Sequence, residues 1–270
     1  MPAEHFEYKD VMLQGADTQL HLITAGNPEG RPILFLHGIT ENAEAFLPVM
    51  KLLPENYYLI ALDLRGRGQS FKPAEGYRHR DYIEDLLTVW NLISGHSEPP
   101  IVVAHSLSGR IAASFAEKYS RLIGGLLLID PPISGPGRKP FPLPMSRFTG
   151  PKAAIELGDV TRFNSYYANT KMDVLIKASE LKQCSVEAIE QSYRSLNEEP
   201  FHTNYRLIDC PAVLLAAELS PLITEEERAE LNAMNINVIT KRIPGVGHEI
   251  HKEAPDVIAA EVMQLIHQLQ

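Results

Sequence analysis

The chain has 270 residues, 44% hydrophobic and 22% charged, with 25 basic against 34 acidic side chains for a formal net charge of −9. That apolar share excludes a solvated, disordered chain, and the length suits one substantial core, alone or with one insertion. The acidic balance argues against nucleic-acid and anionic-membrane partners, which both select basic surfaces.

The amphipathic start, 6–13, predicts an antiparallel edge strand. Short β-rich runs follow at 19–24, 32–36, 57–62, 101–104, 126–129, 212–216 and 237–242. They alternate with helical patterns at 43–53, 81–93, 107–119, 225–232 and 256–269, the last preceded by Pro255, whose missing amide hydrogen costs nothing at a helix start. This alternation predicts an α/β fold, a mostly parallel eight-stranded sheet flanked by helices. Between Pro131 and Pro151 seven prolines break the rhythm, and polar helical patterns run on to about Arg206. Proline removes backbone donors and forbids regular continuation, so 131–209 is expected to leave the sheet after the sixth strand as a helical cap. The sheet core would then comprise 1–130 and 210–270.

The longest apolar run, 122–129, is eight residues, where a membrane-spanning helix needs about 20. The start MPAEHFEYKD has neither the basic nor the apolar stretch of a secretory signal. Cys184 and Cys210 form no C-x-x-C pair and fit a reduced chain. A cytoplasmic location is the expectation.

The densest chemistry lies in IVVAHSLSGR, 101–110. A strand run ends at Ala104, a serine follows two residues later, and a helical pattern begins at once, which is the context of a nucleophile elbow. Its tight turn needs small flanks, usually G-x-S-x-G. Here Ala104 and Ser108 flank Ser106, and Gly109 comes one residue late. Ser108 is the weaker nucleophile candidate, because Arg110 would fill a flank that must be small. Serine between small residues is also common in ordinary turns, so Ser106 needs partners.

FLHGIT, 35–40, closes an earlier strand. Amides after such a turn and after the nucleophile can hold an oxyanion, which nominates the N–H groups of Ile39 and Leu107. An ordinary turn at Gly38 is the alternative. His248, in the glycine-flanked PGVGH after the last strand run, is placed to act as a general base. His251 competes, while His37 and His105 are read as shaping turns. The base needs a carboxylate to fix its tautomer. Asp130, ending LLLID, gives the order Ser…Asp…His; Glu218 is the alternative acid, with Ser220 where an aspartate is usual. DLRGRGQS, 63–70, lacks the third glycine of a dinucleotide fingerprint and reads as a structural turn. No cofactor and no metal are expected.

In this order FLHGIT, DLRGRGQS, AHSLSG, Asp130 and GVGHE resemble the α/β-hydrolase superfamily over nearly the whole chain. HGIT, the HSxxxR pattern ending at Arg110 and DPPISGPGR, 130–138, are similar to the N-formylmaleamate deformylases. HGIT, GYxxxDYxxD from Gly76 to Asp85 and Ser220 are similar to the acetamidomethylene-succinate hydrolases. Both families cleave a C–N amide bond in a small acidic product of pyridine-ring opening, and both place the triad acid at the strand end matching Asp130. The resemblance implies a cofactor-independent serine hydrolase, an amidase or deformylase with an acyl-enzyme intermediate on Ser106, acting on a small molecule. A carboxylesterase, lactonase or C–C bond hydrolase with the same triad is the alternative, and an inactive ligand-binding scaffold a further one. An acidic substrate asks for cations, and Arg110, Arg138, Arg147 and Arg162 are the candidates. The sequence departs from these families at Ser108, where glycine is expected. It does not reveal the oligomeric state.

Overall fold

One sheet of eight strands in the order β1-β2-β4-β3-β5-β6-β7-β8 organises the molecule, seen in a computed structural model that describes residues 6–15, 18–168, 170 and 172–269. The strands are β1 Lys9–Gln14, β2 Gln19–Gly26, β3 Pro32–Leu36, β4 Tyr58–Leu62, β5 Ile101–His105, β6 Gly125–Ile129, β7 Ala212–Ala217 and β8 Val238–Ile243. β2 runs antiparallel to both β1 and β4, and every pair from β4 across to β8 is parallel. The strand expected at 6–13 is thus the antiparallel edge β1, with Lys9 opposite Thr24 and Gln14 opposite Gln19.

The helices are α1 Leu47–Met50, α2 His79–Ile93, α3 Leu107–Tyr119, α4 Ser146–Glu156, α5 Val160–Ser165 and α6 Val174–Lys182. They continue as α7 Val186–Glu198, α8 His202–Arg206, α9 Glu225–Met234, α10 Ile250–Glu253 and α11 Pro255–His267. Every residue of β3, β5, β6 and β7 is buried, because helices cover both faces of a parallel sheet. Side chains alternate between the faces. Leu126 and Leu128 join Trp90 of α2 and Phe115 of α3, while Leu127 and Ile129 join Phe46, Ile250, Val262 and Ile266.

The helix expected over 43–53 is broken into a 3₁₀ turn, Ala43–Phe46, and the four-residue α1. Pro48 lacks the N–H that would reach back to Glu44, so a continuous ladder cannot form there. Asp63 further fixes the start of this segment, its Oδ1 accepting the Ala43 N–H at 2.7 Å. The same carboxylate holds the 63–70 turn through the Gln69 N–H at 2.8 Å, and a Cβ at Gly68 would lie 1.9 Å from it. That stretch is a structural turn.

Helices α4 to α8 all lie between β6 and β7. Ala154, Phe163, Tyr167, Leu181, Cys184 and Ile189 form a small core of their own, whereas Leu196, Phe201 and Tyr205 belong to the core on the sheet. Arg67 ties this segment to the sheet, donating to Ile39 O at 3.1 Å, Ala188 O at 3.1 Å and Ser192 Oγ at 2.8 Å. Cys184 and Cys210 are free and buried. No helix of the described residues is long and apolar enough to cross a membrane.

Candidate active site

The chain passes from β3 to β4 on one side and then crosses to β5 on the other, so the β3 and β5 ends are neighbours facing opposite excursions. Open α/β sheets bind ligands in the crevice at such a switch. The His37–Ile39 turn leaves the end of β3, and Ser106 follows β5 directly. Ser106 has φ 53° and ψ −116°, the strained conformation of a tight strand-to-helix turn. Its amide donates to Ile129 O at 2.9 Å, locking the turn against β6. Leu107 opens α3, so its N–H has no carbonyl one turn back. Among the described residues neither the Leu107 nor the Ile39 amide donates a hydrogen bond.

Ser108 resolves the departure from glycine. Its hydroxyl donates to His37 O at 2.5 Å, tying the elbow to the turn after β3, and the left-handed backbone falls on Ser106 rather than on it. Close approach is needed one residue later instead: a Cβ at Gly109 would sit 2.9 Å from the Pro131 Cβ.

Asp130 follows β6 and is fully buried, with φ 43°. Its Oδ1 accepts the Ala217 N–H at 3.1 Å and its Oδ2 lies 2.7 Å from His248 Nδ1. His248 Nε2 is 2.9 Å from Ser106 Oγ. The fold therefore brings Ser106, His248 and Asp130 into one hydrogen-bonded line from three loops. Burial disfavours a charged His248, but the hydrogen bond to Asp130 and its charge, with Glu249 and Glu41 behind, outweigh that and raise its pKa above the ordinary 6.5. Its side chain is 34% exposed, so the line is open to solvent at the imidazole.

The alternatives fall elsewhere. Glu218 is exposed and accepts the Gly245 N–H at 2.8 Å, so it braces the loop before His248 rather than facing the ring. His251 is buried against Phe46 and 3.2 Å from Glu41, with its pKa pushed down to about 4 by burial. His37 accepts the Leu64 N–H at 3.1 Å and shapes its own turn.

The four arginines separate clearly. Arg110 must be removed from the candidates for holding a substrate carboxylate. It is fully buried, and its two terminal nitrogens donate to Pro132 O at 2.8 Å, Ser134 O at 2.7 Å and Glu199 O at 2.6 Å. Proline-rich backbone without a sheet partner needs such donors. Arg138 pairs with Glu230 at 2.6 Å on the surface, and Arg162 is exposed. Arg147 is half-buried, donates to Tyr166 O at 2.6 Å and lies 5.5 Å over the Tyr167 ring.

Sequence reasoning missed a buried ionic cluster behind the line. Glu41, Lys177, Glu180, Glu249 and Lys252 converge there from the β3 turn, α6 and the region of α10. Spacings such as Lys177 to Glu180 and Glu249 to Lys252 read as ordinary solvated helix pairs. Glu41, His105 and His251 offer ligand-type atoms within 4.8 Å of one another. The Lys252 ammonium, 3.0 Å from Glu41, would oppose a divalent ion there.

Residues 33–261 match the alpha/beta hydrolase family. The chain is 27% identical over 257 residues to a 2-(acetamidomethylene)succinate hydrolase of Mesorhizobium japonicum, covering 88% of each chain. It is 24% identical over 230 residues to an N-formylmaleamate deformylase of Pseudomonas putida, covering 82% of this chain and 83% of that one. Among solved structures, an N-formylmaleamic acid deformylase from Pseudomonas putida superposes with a TM-score of 0.83 at 25% identity, over 94% of this chain and all of that one.

Proposed function

The chain belongs to the alpha/beta hydrolase family, and from that premise we propose that it is a serine hydrolase opening the C–N bond of a small carboxylated amide. The observation that carries the reading is the Ser106–His248–Asp130 line, with links of 2.9 and 2.7 Å. Ser106 Oγ attacks the acyl carbon as its proton passes to His248 Nε2. Asp130 holds Nδ1–H and stabilises the imidazolium. The Ile39 and Leu107 amides meet the developing oxyanion. His248 returns the proton to the leaving nitrogen as the C–N bond breaks, and water deprotonated by His248 then releases the acid from Ser106.

The two relatives named for C–N hydrolysis support an amide over an ester. Arg147 is the cation assigned to the substrate carboxylate. Among the described residues it has no acidic partner, it is half-buried, and it lies 5.5 Å over the Tyr167 ring. A hydrogen bond to a charged group is worth roughly 1.5–3 kcal/mol, so Arg147→Gln should raise KM about 10- to 100-fold with kcat retained. An unchanged KM removes Arg147 from this role.

The test is formate release from N-formylmaleamate, with 2-(acetamidomethylene)succinate and p-nitrophenyl acetate in parallel, for wild type and Ser106→Ala. Formate release lost in the variant supports the proposal, whereas release of formamide and maleate places cleavage at the other amide bond. Turnover of the activated ester alone keeps the serine hydrolase and removes the amide assignment. Absence of all turnover, with Ser106 unlabelled by a fluorophosphonate, refutes both.

A further inference from the structure

The cluster behind the nucleophile is arranged around Glu41, whose carboxylate is buried between three loops. Its Oε2 accepts the Gly38 N–H at 2.6 Å and lies 2.7 Å from His105 Nδ1. Its Oε1 faces Lys252 Nζ at 3.0 Å and His251 Nε2 at 3.2 Å. Lys252 also reaches Glu180 at 2.6 Å and Glu249 at 3.5 Å. Lys177 reaches Glu180 at 3.0 Å, Thr40 O at 3.1 Å and Glu249 at 3.6 Å.

Two independent counts bear on this cluster. The first is charge: Glu41, Glu180 and Glu249 bring three carboxylates, and Lys177 and Lys252 bring two ammonium groups. A net charge buried without compensation is unfavourable, so the cluster favours one further positive charge. The second is hydrogen bonding. His105 Nδ1 faces the Glu41 carboxylate, and its Nε2 faces the backbone carbonyl of His248 at 3.1 Å. Both partners are acceptors, and imidazole satisfies two acceptors only with a hydrogen on each nitrogen. The hydrogen-bond count places that charge on the His105 ring. Its other neighbours are the rings of His248 at 4.6 Å and His251 at 4.3 Å. Space has been kept for the contact, because a Cβ at Gly38 would lie 2.7 Å from Glu41 Oε2 and 2.8 Å from His105 Nδ1.

We infer that Glu41 and His105 form a buried ion pair that positions the catalytic base: Glu41 keeps both His105 nitrogens protonated, and His105 Nε2–H donates to the His248 carbonyl. The pair rests on the serine-hydrolase reading only in calling His248 the base. Glu41 and His105 are positioning residues that act through the His248 loop. The same carboxylate, by gripping Gly38 N–H, sets the turn that carries the Ile39 amide. The turn after β3, the elbow and the loop after β8 thus share one anchor.

The experiment joins a spectroscopic and a kinetic readout. Ring ¹⁵N NMR of the wild-type protein at pH 7.5 is expected to show both His105 nitrogens protonated, and Glu41→Gln is expected to abolish that signature. The rate of fluorophosphonate labelling at Ser106 should fall tenfold or more in Glu41→Gln and recover in part in Glu41→Asp. On an amide or ester substrate the loss should appear in kcat, with KM within twofold. A bare His105 nitrogen in the wild type overturns the ion pair, and needs no variant to fold. Labelling within twofold of wild type in a folded Glu41→Gln overturns the positioning role. Wild-type Ser106 that resists the probe would instead count against the functional reading, while the NMR result still decides the pair.

Discussion

Replacing Asp130 by asparagine changes one atom type at the buried end of the proposed triad and has a cost that follows from its two contacts. Asp130 Oδ1 accepts the Ala217 N–H, and Oδ2 faces His248 Nδ1. An asparagine must choose. With its oxygen kept on Ala217, its NH₂ points at His248 Nδ1, which must then be bare, and the ring proton moves to Nε2, against Ser106. That tautomer cannot accept the serine proton. The flipped amide would set NH₂ against the Ala217 N–H, leaving buried donors opposed at a cost of about 1–3 kcal/mol. The unproductive tautomer should therefore dominate. In a serine-protease triad this exchange lowers kcat by about 10⁴, equivalent to roughly 5.5 kcal/mol of transition-state stabilisation. The assay is kcat on the best substrate found, or fluorophosphonate labelling of Ser106, with the melting temperature as a folding control. A folded Asp130→Asn that keeps more than about a tenth of wild-type activity would refute the assignment of Asp130 as the orienting acid.

The acid limb of kcat/KM should have a midpoint above 6.5, because His248 must be neutral to act as base and its pKa is raised; a midpoint below 6.5 would contradict this. Gly109→Ala should destabilise by about 1–3 kcal/mol, since its Cβ meets the rigid Pro131 ring; an unchanged urea midpoint would show that Pro131 yields. His21 sits between Asp63 at 2.7 Å and Asp10 at 2.9 Å. Burial opposes its charge, yet Asp63 and then Asp10 hold its pKa above 6.5. The stability it contributes is complete below about 6.5, its unfolded value, and is lost as pH rises through the higher folded value. Melting curves of wild type should fall across that window more steeply than those of Asp10→Asn, and parallel curves would remove the contact from the pH dependence.

The sheet was legible because β3, β5, β6 and β7 are covered on both faces and so write continuous apolar runs. Ser106, Asp130 and His248 could be nominated because each follows a strand end, and strand ends are visible in one dimension. What Arg110 does was not visible: a charged residue one turn into a helix looks the same whether it meets solvent or three backbone carbonyls. Glu41 was hidden for a related reason, since its partners at His105 and Lys252 lie 64 and 211 positions away. The break within 43–53 was written at Pro48, but the apolar periodicity on either side masked it.

Arg110 grips Pro132 and Ser134, where the chain leaves the sheet, and Glu199, where it is about to return. One side chain therefore closes the neck of the whole excursion between β6 and β7. Once the ends of a loop are pinned, the entropy of closing it grows only with the logarithm of its length, about 0.6 kcal/mol for each doubling. Insertions or deletions beyond the neck would leave the register of β6 and β7 nearly untouched. The size of this excursion is thus a weakly constrained variable, and natural or designed changes in its length can be accepted without unsettling the sheet beneath.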